Sequence, residues 1–598
     1  MQTTFYGKAP AGQAKKGKRP QTVITDEDAA RGARLLKEYM AGKEALDRRL
    51  VEDELWWQMR HWEIKRKNAG ENRRPLPSSA WLFNTIVSKH ADAMDNYPVP
   101  SVLPREQSDA PSAELLSAVL PVVFEDNRFE ETYSANWWEK LKHGAAAYGV
   151  FWDGEKRSGL GDVAVRAVDL LRLYWEPGVT DLQKSANLFL VDLADVAELE
   201  ALYPEKRGRF GGAAGQVRQY LFADNVDTTG KCMVVDWYYK VRNDAGRVLL
   251  HYVKFCGDAV LYASENDPVY RDTGFYAHGQ YPIVLDTLFP EKGTPAGFGY
   301  VTVCKDAQTY IDAVSANIQE STLLSTKRRY FASRSTNIDV GQLLDNENAI
   351  VWVDGDVTDT RLKPFRVDPV DPMALSVMNQ KIDEMKETAA NRDVNNGAGG
   401  RGVTAAAAIA ALQEAGNKTS RDMVAASYRA YARVAELVVE LMRQFYDEAR
   451  SFRVVGPRAA WRFVTWGNAG IREQAVGADA LGNTLYRLPV FDYRIGAVRK
   501  NPFSRMEQNE LAKELYRLGF FSPERAEQSL LALELMDFDG ADRVREYLRK
   551  QAGTGRETAP EPPPEESEKG VAAAVTEAQT PREGYDRTLA RRTAGGTA

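Results

Sequence analysis

The sequence predicts an α+β fold in which long amphipathic helices alternate with regions of β-strand. Apolar residues recur at helical spacing over several long stretches. β-Branched and aromatic residues are concentrated instead in two short stretches, 233–239 and 248–255, as is typical of strands. The composition of the 598 residues, 44% hydrophobic and 27% charged, is that of a folded soluble protein large enough for several structural regions.

The chain begins with a polar segment that precedes a long helix. Residues 1–24 are rich in Gly, Lys and Gln and are predicted to form a disordered tail. Thr25 and Asp28 form a capping-box pattern, from which a helix is predicted to run from Asp26 to about Asn68. Gly42 is a candidate point of interruption within this helix.

Further helices and an extended segment are predicted before the first strands. A helix from Ser79 to Asn96 is followed by Pro98, Pro100 and Pro104, which force an extended chain because proline cannot continue a helix. Two helices are expected between Ala113 and Tyr148.

The middle of the chain changes from strands to helices. Alternating and β-branched residues predict strands between Ala147 and Leu288. A helix is then predicted from Tyr300 to about Thr326, after which a segment from Arg329 to Asp371 carries short strands at Ala349–Val353 and Phe365–Val367.

The C-terminal part is predicted to contain one very long helix. The elements expected there are, in order, a helix after Pro372 that ends near Ala390, a Gly-rich stretch Asn391–Gly402, the long helix Thr404 to about Ala449, strands between Phe452 and Val498, and helices from Ser504 to Gln551. The long helix has one apolar stripe, formed by Val424, Tyr428, Tyr431, Val434, Val438, Leu441 and Phe445. The last residues, 552–598, are rich in Pro and Glu and are predicted to be a flexible tail.

Charge and motifs limit how the chain can act on nucleic acids. Its net charge of −6 has the wrong sign for tight binding to phosphates, so any contact with DNA is expected to be weak or local. The segment Gly397–Gly402 matches G-x-G-x-x-G, but that dinucleotide motif requires a preceding strand, and here a helix precedes it. No P-loop motif occurs, so the chain is not expected to be an NTPase.

The sequence also contains no pattern typical of a catalytic or metal site. The 5 histidines and 3 cysteines lack ligand spacing, and no serine lies in G-x-S-x-G, so no catalytic residue, metal or cofactor is predicted. Cys232, Cys256 and Cys304 are far apart and odd in number, which predicts reduced, buried thiols in a cytosolic setting. No apolar stretch is long enough to predict a membrane span or a secretory signal.

Several local motifs resemble those of the portal proteins of tailed bacteriophages. The helix Trp81–Asn96, which runs into a proline-marked segment, is similar to an early helix of that family. The run His143–Asp153, with Gly161 to Val163 and then Tyr174 to Pro177, is similar to the strand pair of the family's wing. Gly297, Phe298 and Gly299 are followed by a helix that contains Gln308, Asp312 and Asn317. This segment resembles the entry into the family's first stem helix.

The order of elements carries most of the resemblance. Residues 300–449 follow the family's order of helix, small α/β clip, helix, glycine-containing tunnel loop and long helix. Residues 491–498 and the helix after Asn501–Arg505 resemble the approach to the family's crown. The resemblance covers roughly residues 30–550.

The resemblance implies a portal fold with a mixed α/β wing, two-helix stem, small α/β clip, tunnel loop, long wing helix and helical crown. Its expected regions are a tail at 1–24, the N-terminal part of the wing at 25–296, stem helix 1 at 297–326, the clip at 327–371, stem helix 2 at 372–390, the tunnel loop at 391–402, the remaining wing at 403–503, the crown at 504–551 and a tail at 552–598.

The resemblance also implies a function and a set of partners. Portals form a ring at one capsid vertex, through which the genome is packaged and ejected and on which terminase and head-to-tail proteins dock. Expected partners are other copies of the chain in a dodecameric ring, the terminase large subunit, head-to-tail adaptors, major capsid and scaffold proteins, and non-specific double-stranded DNA, with no membrane. The expected location is the portal vertex of the virion, after assembly in the host cytoplasm.

Two groups of residues are candidates for functional contacts. The tunnel loop is expected to reach passing DNA through Arg392 and Arg401, and its other candidate residues are Asn395, Asn396, Gly397, Gly399, Gly400 and Gly402. The alternative is a connector that never contacts DNA. In the clip, the cations at 327–329, which are Lys327, Arg328 and Arg329, are candidates for docking terminase. Their alternative role is a solvated helix end stabilised by the helix dipole.

Two other functional classes remain as alternatives. A nucleic-acid-processing enzyme is suggested by the size of the chain and by the cations beside Tyr330, although the missing P-loop and metal-ligand spacing argue against it. Another structural head protein, such as a head-to-tail adaptor or a scaffold-like assembly factor, is the second alternative. Adaptors are generally much shorter than this chain and lack a clip between two helices.

Overall fold

The computed structural model divides the chain into two compact units, Met1–Lys500 (unit 1) and Asn501–Ala598 (unit 2). The residues that it describes are 23–64, 77–211, 214–220, 228–243, 246–326, 329–332, 341, 362–365, 371–389, 418–455, 461–478, 484–499, 511–522, 525–534 and 544–549. Helices and antiparallel sheets both contribute to unit 1, which confirms the predicted α+β class. None of the described helices is long and apolar enough to cross a membrane.

The first helix, α1 (Asp26–Trp57), begins at the predicted capping box, where the Thr25 backbone N–H donates to Asp28 Oδ2 at 3.0 Å. It ends earlier than predicted because Met59 has a left-handed φ of 57° and the Arg60 N–H bonds back to Leu55 O at 2.8 Å. Gly42 does not interrupt it. A Cβ on Gly42 would lie 2.4 Å from Pro177 Cγ, so this glycine allows the helix to approach the chain at 177 closely.

The next helices and the first strand follow the predicted order: α2 (Trp81–Met94), β1 (Asn96–Pro104), α3 (Ala110–Asp126) and α4 (Phe129–His143). The proline-marked segment is extended, as predicted, and it pairs with the last strand of unit 1, β16 (Phe491–Arg499). Its other side is covered by α3, where the Val102 N–H donates to Ser117 Oγ at 2.8 Å.

Two antiparallel sheets fill the region predicted to be rich in strands. The three-stranded sheet has the order β3 (Asp162–Val168), β2 (Ala145–Asp153), β9 (Ile283–Thr287). The five-stranded sheet has the order β4 (Leu173–Trp175), β5 (Asn187–Asp195), β6 (Lys231–Arg242), β7 (Val248–Cys256), β8 (Ala259–Ala263). A short helix, α5 (Val196–Leu202), follows β5.

Helix α1 covers one face of the five-stranded sheet. Its buried residues Leu36 and Tyr39 share an apolar cluster with Phe189, Trp237 and Phe255 of the sheet. Such burial of large apolar side chains contributes roughly 1.5–3 kcal/mol for each residue. The first half of α1 is therefore held by the sheet, whereas Leu50 in its second half belongs to the larger core cluster. The chain before the helix is fixed as well, since the Ile24 N–H donates to Asn266 Oδ1 at 2.8 Å.

The second half of unit 1 contains three long helices and several hairpins. The helices are α6 (Tyr300–Thr326), α7 (Pro372–Thr388) and α8 (Lys418–Phe445), and the paired strands are β10 (Arg329–Ala332) with β11 (Leu362–Phe365), β12 (Arg450–Val455) with β13 (Trp461–Trp466), and β14 (Gln474–Ala478) with β15 (Thr484–Arg487). The bounds of α6 are those predicted. The strand predicted at Phe365–Val367 ends at Phe365 instead, and the one predicted at Ala349–Val353 lies outside the described residues.

Helix α8 is the central helix of the core of unit 1. Of its predicted apolar stripe, Val434, Val438 and Leu441 are fully buried, and the same core cluster contains Trp137 of α4 and Tyr148 of β2. The start predicted at Thr404 lies outside the described residues, and the helix ends at Phe445.

Unit 2 contains short helices in its described part, at 511–517, 526–534 and 544–549. Ala526, Leu533 and Leu548 form its small buried cluster, against which Phe520 packs. The predicted helical character of this region is confirmed for these segments.

Candidate functional site

Helices α6 and α7 pack against each other as an antiparallel pair. The N-terminal half of α6, with Cys304 buried and Tyr310 half exposed, shares a shallow groove with Glu384 and Met385 near the end of α7. At 1.5 Å per residue, the 27 residues of α6 span about 40 Å. Residues 327–371 therefore connect the two helices at one end of the pair. The chain after residue 389 continues from the opposite end.

The entry into α6 is fixed by glycines that contact backbone atoms. Gly144, which ends α4, has a φ of +90°, and a Cβ there would lie 2.1 Å from the carbonyl carbon of Phe298. Cβ atoms on Gly297 and Gly299 would lie 1.9 Å from Phe289 O and 2.4 Å from Lys142 O. Only glycine permits this approach, so the predicted Gly-Phe-Gly turn is a junction between α4, β2 and α6.

Two polar residues of α6 that belong to the portal-like motif are buried at the beginning of α2. Asp312 Oδ1 accepts hydrogen bonds from the Ser79 backbone N–H at 2.9 Å and from its hydroxyl at 2.6 Å. Gln308 Oε1 accepts from the Leu82 N–H at 3.1 Å, and Gln308 Nε2 donates to Ser79 O at 2.8 Å. These bonds satisfy the free backbone groups at the helix start, so α6 caps α2. Asn317, the third residue of the motif, is exposed.

A buried histidine completes this cluster. His61 Nε2 lies 3.1 Å from Asp312 Oδ2, and its ring stacks on Trp56 with centroids 4.1 Å apart. Burial would raise the pKa of Asp312, but hydrogen bonds from His61, Ser79 and Gln308 outweigh burial and lower it. The carboxylate is therefore charged, and it joins α6 to the segment after α1 and to the residues just before α2.

The start of α8 is held by two buried clusters of Lys, Ser and Asp. In the first, Lys89 Nζ donates to Ser420 Oγ at 3.0 Å, and that hydroxyl donates to Asp92 Oδ2 at 2.7 Å. Burial lowers the pKa of Lys89, and the negative charge of Asp92 opposes this shift. This cluster connects the first turn of α8 to α2.

The second cluster lies two turns further along α8. Lys140 Nζ donates to Asp286 Oδ1 and to Ser427 Oγ, each at 2.7 Å, and Ser427 donates to Asp286 Oδ2. Burial lowers the pKa of Lys140, and the charge of Asp286 opposes it. Since all three side chains are buried, the cluster joins α8 to α4 and β9 without access for water.

The candidate functional residues of the sequence analysis fall mostly outside this described framework. Lys327, Arg328 and the whole tunnel loop 391–402 lie outside the described residues. Arg329 is described only as the first residue of β10, where it pairs with Phe365. These candidates therefore remain predictions.

Sequence reasoning did not find the buried lysines. The signal that could have revealed the sites they occupy is the pair Ser420 and Ser427, two polar residues spaced seven apart along the buried side of α8. Within the described residues, no group of His, Cys, Asp and Glu could hold a metal ion.

Comparison with known families assigns the chain. Residues 90–584 match the family described as phage P22-like portal protein. The chain belongs to this family. A search of curated proteins found no matching relative. As a phage portal protein, it has the portal's role in the capsid, which is to provide the channel for DNA and a docking platform, and it belongs to a structural rather than an enzymatic family.

In its described residues, this portal protein has helices within each of the three predicted ranges 300–326, 372–390 and 404–449. The junction at Gly297–Gly299, the capping residues Gln308 and Asp312 and the helix pair all lie inside the matched range. The anchors of α8 at Ser420 and Ser427 do as well. The buried polar contacts fix the base of the α6–α7 pair and the start of α8. These two anchored regions lie before and after residues 390–417 in the sequence.

Proposed function

We propose that the chain forms a closed dodecameric ring in which α6 and α7 are the stem, residues 327–371 the clip and residues 391–402 the tunnel loop. The single observation that carries this proposal is the antiparallel α6–α7 pair, anchored at its base by Asp312 and followed by the anchored start of α8. At the start of α7, Met373 and Leu375 are exposed, as suits a surface that neighbouring subunits cover. The wing would then comprise 25–296 and 403–503, and the crown 504–551.

A ring is tested by imaging the purified protein. Closed rings are expected by negative staining, with a native mass that is a multiple of the 66.8 kDa chain. Ring closure requires one heterologous interface repeated by rotation, and it depends on protein concentration. A chain that stays monomeric at high concentration and under capsid-assembly conditions contradicts the ring.

We propose the clip as the docking site for the terminase large subunit during packaging and for head-to-tail adaptors afterwards. The support is its position at one end of the helix pair and the short β10–β11 pair, whose edges can pair with another chain. Lys327, Arg328 and Arg329 supply positive charge beside this pair.

Deleting residues 330–363 and joining the ends with a short Gly-Ser linker is expected to abolish terminase binding in a pull-down or by interferometry. Arginine-to-alanine changes at Arg328 and Arg329 are expected to weaken it, since they remove charge from the dock. The control is the exposed pair Arg462 and Arg494, whose replacement by alanine should leave binding unchanged. Terminase binding that survives the deletion in an intact ring contradicts the clip assignment.

We propose that the loop 391–402 touches passing DNA through Arg392 and Arg401. In the sequence it lies between α7 and the anchored residue Ser420 of α8, and its four glycines permit the backbone to change shape. Two arginines per subunit can bind phosphates but have no evident means of reading bases, so contact is expected to be non-specific.

Replacing Arg392 and Arg401 with alanine is expected to alter the rate of packaging or the length of DNA retained, without changing ring assembly. The same removal of charge at Arg462 and Arg494 is the matched control and should have no effect on packaging. Wild-type packaging rate and packaged length in rings of the double variant show that these arginines have no role in the channel.

Interactions with the major capsid and scaffold proteins at the portal vertex, and assembly in the host cytoplasm, belong to the same proposal. Their support is membership of the portal family, whose members function in the capsid. Co-purification of assembled procapsids with the ring, and its loss when ring formation is prevented, tests this part.

A further inference from the structure

The described residues of the β14–β15 hairpin and of the segment that follows it, 474–478 and 484–490, carry several exposed apolar side chains close together in sequence; we call these residues the arm. Its described large apolar side chains are mostly open to water, with Leu485 52% and Tyr486 66% exposed. Val476, Leu488 and Val490 are exposed as well. Because residues on both faces of the two strands are exposed, the hairpin projects from the body of unit 1.

The arm is rooted firmly at its base. Arg443 of α8 donates to Ile471 O at 3.0 Å, just before the arm, and to Pro489 O at 2.9 Å, near its end. Arg487 forms ion pairs with Glu106 and Asp109 next to α3. These contacts hold the chain at the base of the hairpin, before β14 and at the end of β15.

The arm carries few of the charges that keep exposed strands from associating, and its short strands and the bulge between Ala475 and Gly477 are its main protection. Between Gln474 and Val490 the only charged residues are Asp479 and Arg487, and Arg487 is engaged at the base. Among the described residues, β14 and β15 pair only with each other, which leaves both outer edges of the hairpin open. Natural edge strands carry charges or prolines against unwanted pairing, and an isolated hairpin is at best marginally stable in water.

The size of the exposed surface matches part of a subunit interface. Its five large apolar side chains expose on the order of 500 Å², compared with the ~800 Å² that one partner contributes to a standard interface. In a homo-oligomeric ring, every arm has a neighbouring copy of the chain in the same position. We therefore take that copy as the partner that covers the arm. Without such cover, the ring would carry one open apolar hairpin for each subunit, and these would drive aggregation.

We propose that the arm is an interaction element that docks onto the adjacent copy of this chain and closes the heterologous interface of the ring. This inference rests on the proposed ring and adds to it the segment that makes the contact. Tyr486 is its anchor, since tyrosine side chains buried in a contact are among those that contribute most to binding, and Leu485 is exposed on the opposite face of the same strand.

The first test is assembly of a double variant, Leu485→Asp with Tyr486→Asp. It is expected to raise the concentration needed for ring formation by at least about tenfold, since it puts two charges into an apolar contact. The matched control is Leu202→Asp with Val269→Asp, whose parent side chains are 52% and 54% exposed elsewhere in unit 1. The control is expected to assemble as the wild type does, and rings of the arm variant that form at wild-type concentration overturn the proposal.

The second test does not depend on how the aspartate variants fold. With the photo-crosslinking residue benzoylphenylalanine in place of Tyr486, irradiation is expected to join two copies of the chain covalently. Crosslinks confined to one copy, or formed only after major capsid protein is added, overturn the proposal. A wild-type chain that makes no ring contradicts the dodecamer itself, and the crosslink then decides whether the arm joins copies in any smaller assembly.

Discussion

Replacing Gly144 with alanine is expected to lower the free energy of unfolding of unit 1 by more than about 4 kcal/mol, and to leave most of the protein insoluble. Two effects add. The φ of +90° is unfavourable for any residue with a Cβ, by roughly 1–2 kcal/mol. The added carbon would also lie 2.1 Å from the backbone of Phe298, which cannot move aside as a side chain could.

Gly159 is the matched control because its φ is +92° and no atom lies within 4 Å of the position of an added Cβ. Gly159→Ala is expected to lower the free energy of unfolding by only about 1–2 kcal/mol, from backbone conformation alone. Urea denaturation of both variants measures the difference. Equal losses in the two variants would show that the junction between Gly144 and Phe298 is not close-packed.

Replacing Asp286 with alanine is expected to lower the free energy of unfolding by about 3–5 kcal/mol, because Lys140 would remain buried without its carboxylate partner. The side chains of this pair are 0% and 3% exposed. The double variant Lys140→Met with Asp286→Leu removes both charges and is expected to regain most of the loss.

An exposed ion pair in the same unit is the control. Arg105 and Asp492 lie 2.7 Å apart with side chains 59% and 55% exposed, so Asp492→Ala is expected to change the free energy of unfolding by less than about 1 kcal/mol. Denaturation monitored by tryptophan fluorescence measures all three variants. A loss below about 1 kcal/mol for Asp286→Ala would mean that Lys140 finds another partner or reaches water.

The sequence predicted elements where a periodic pattern sets them. Helix α6 has the predicted bounds because its spacing is helical and the Gly-Phe-Gly turn marks its start. The stripe of α8 is buried as predicted, since one face of a helix this long must pack against the core. Helix α1 was predicted too long, because its end depends on the left-handed Met59, for which composition gives no signal.

Long-range contacts could not be predicted. Gly42 was taken as a break in the helix, yet its role is to make room for Pro177, a residue far along the chain. Lys140 contacts Asp286 and Ser427, and no local pattern brings these three residues together. Gln308 and Asp312 were identified by resemblance alone, and only the tertiary structure shows that they cap α2. The candidate residues of the clip and tunnel loop remain predictions.

The pairing of β1 with β16 has a consequence for synthesis of the chain. Asn96 lies opposite Arg499, so β1 leaves the ribosome long before its partner exists. At about 5–20 residues per second, the wait is roughly 20–80 s. Because Val102 donates its N–H to α3, the alternate residues Pro98, Pro100 and Pro104 lack donors on that same edge, and the edge that waits for β16 keeps its N–H groups. The nascent strand thus has an open edge on the β16 side until translation of unit 1 is nearly complete.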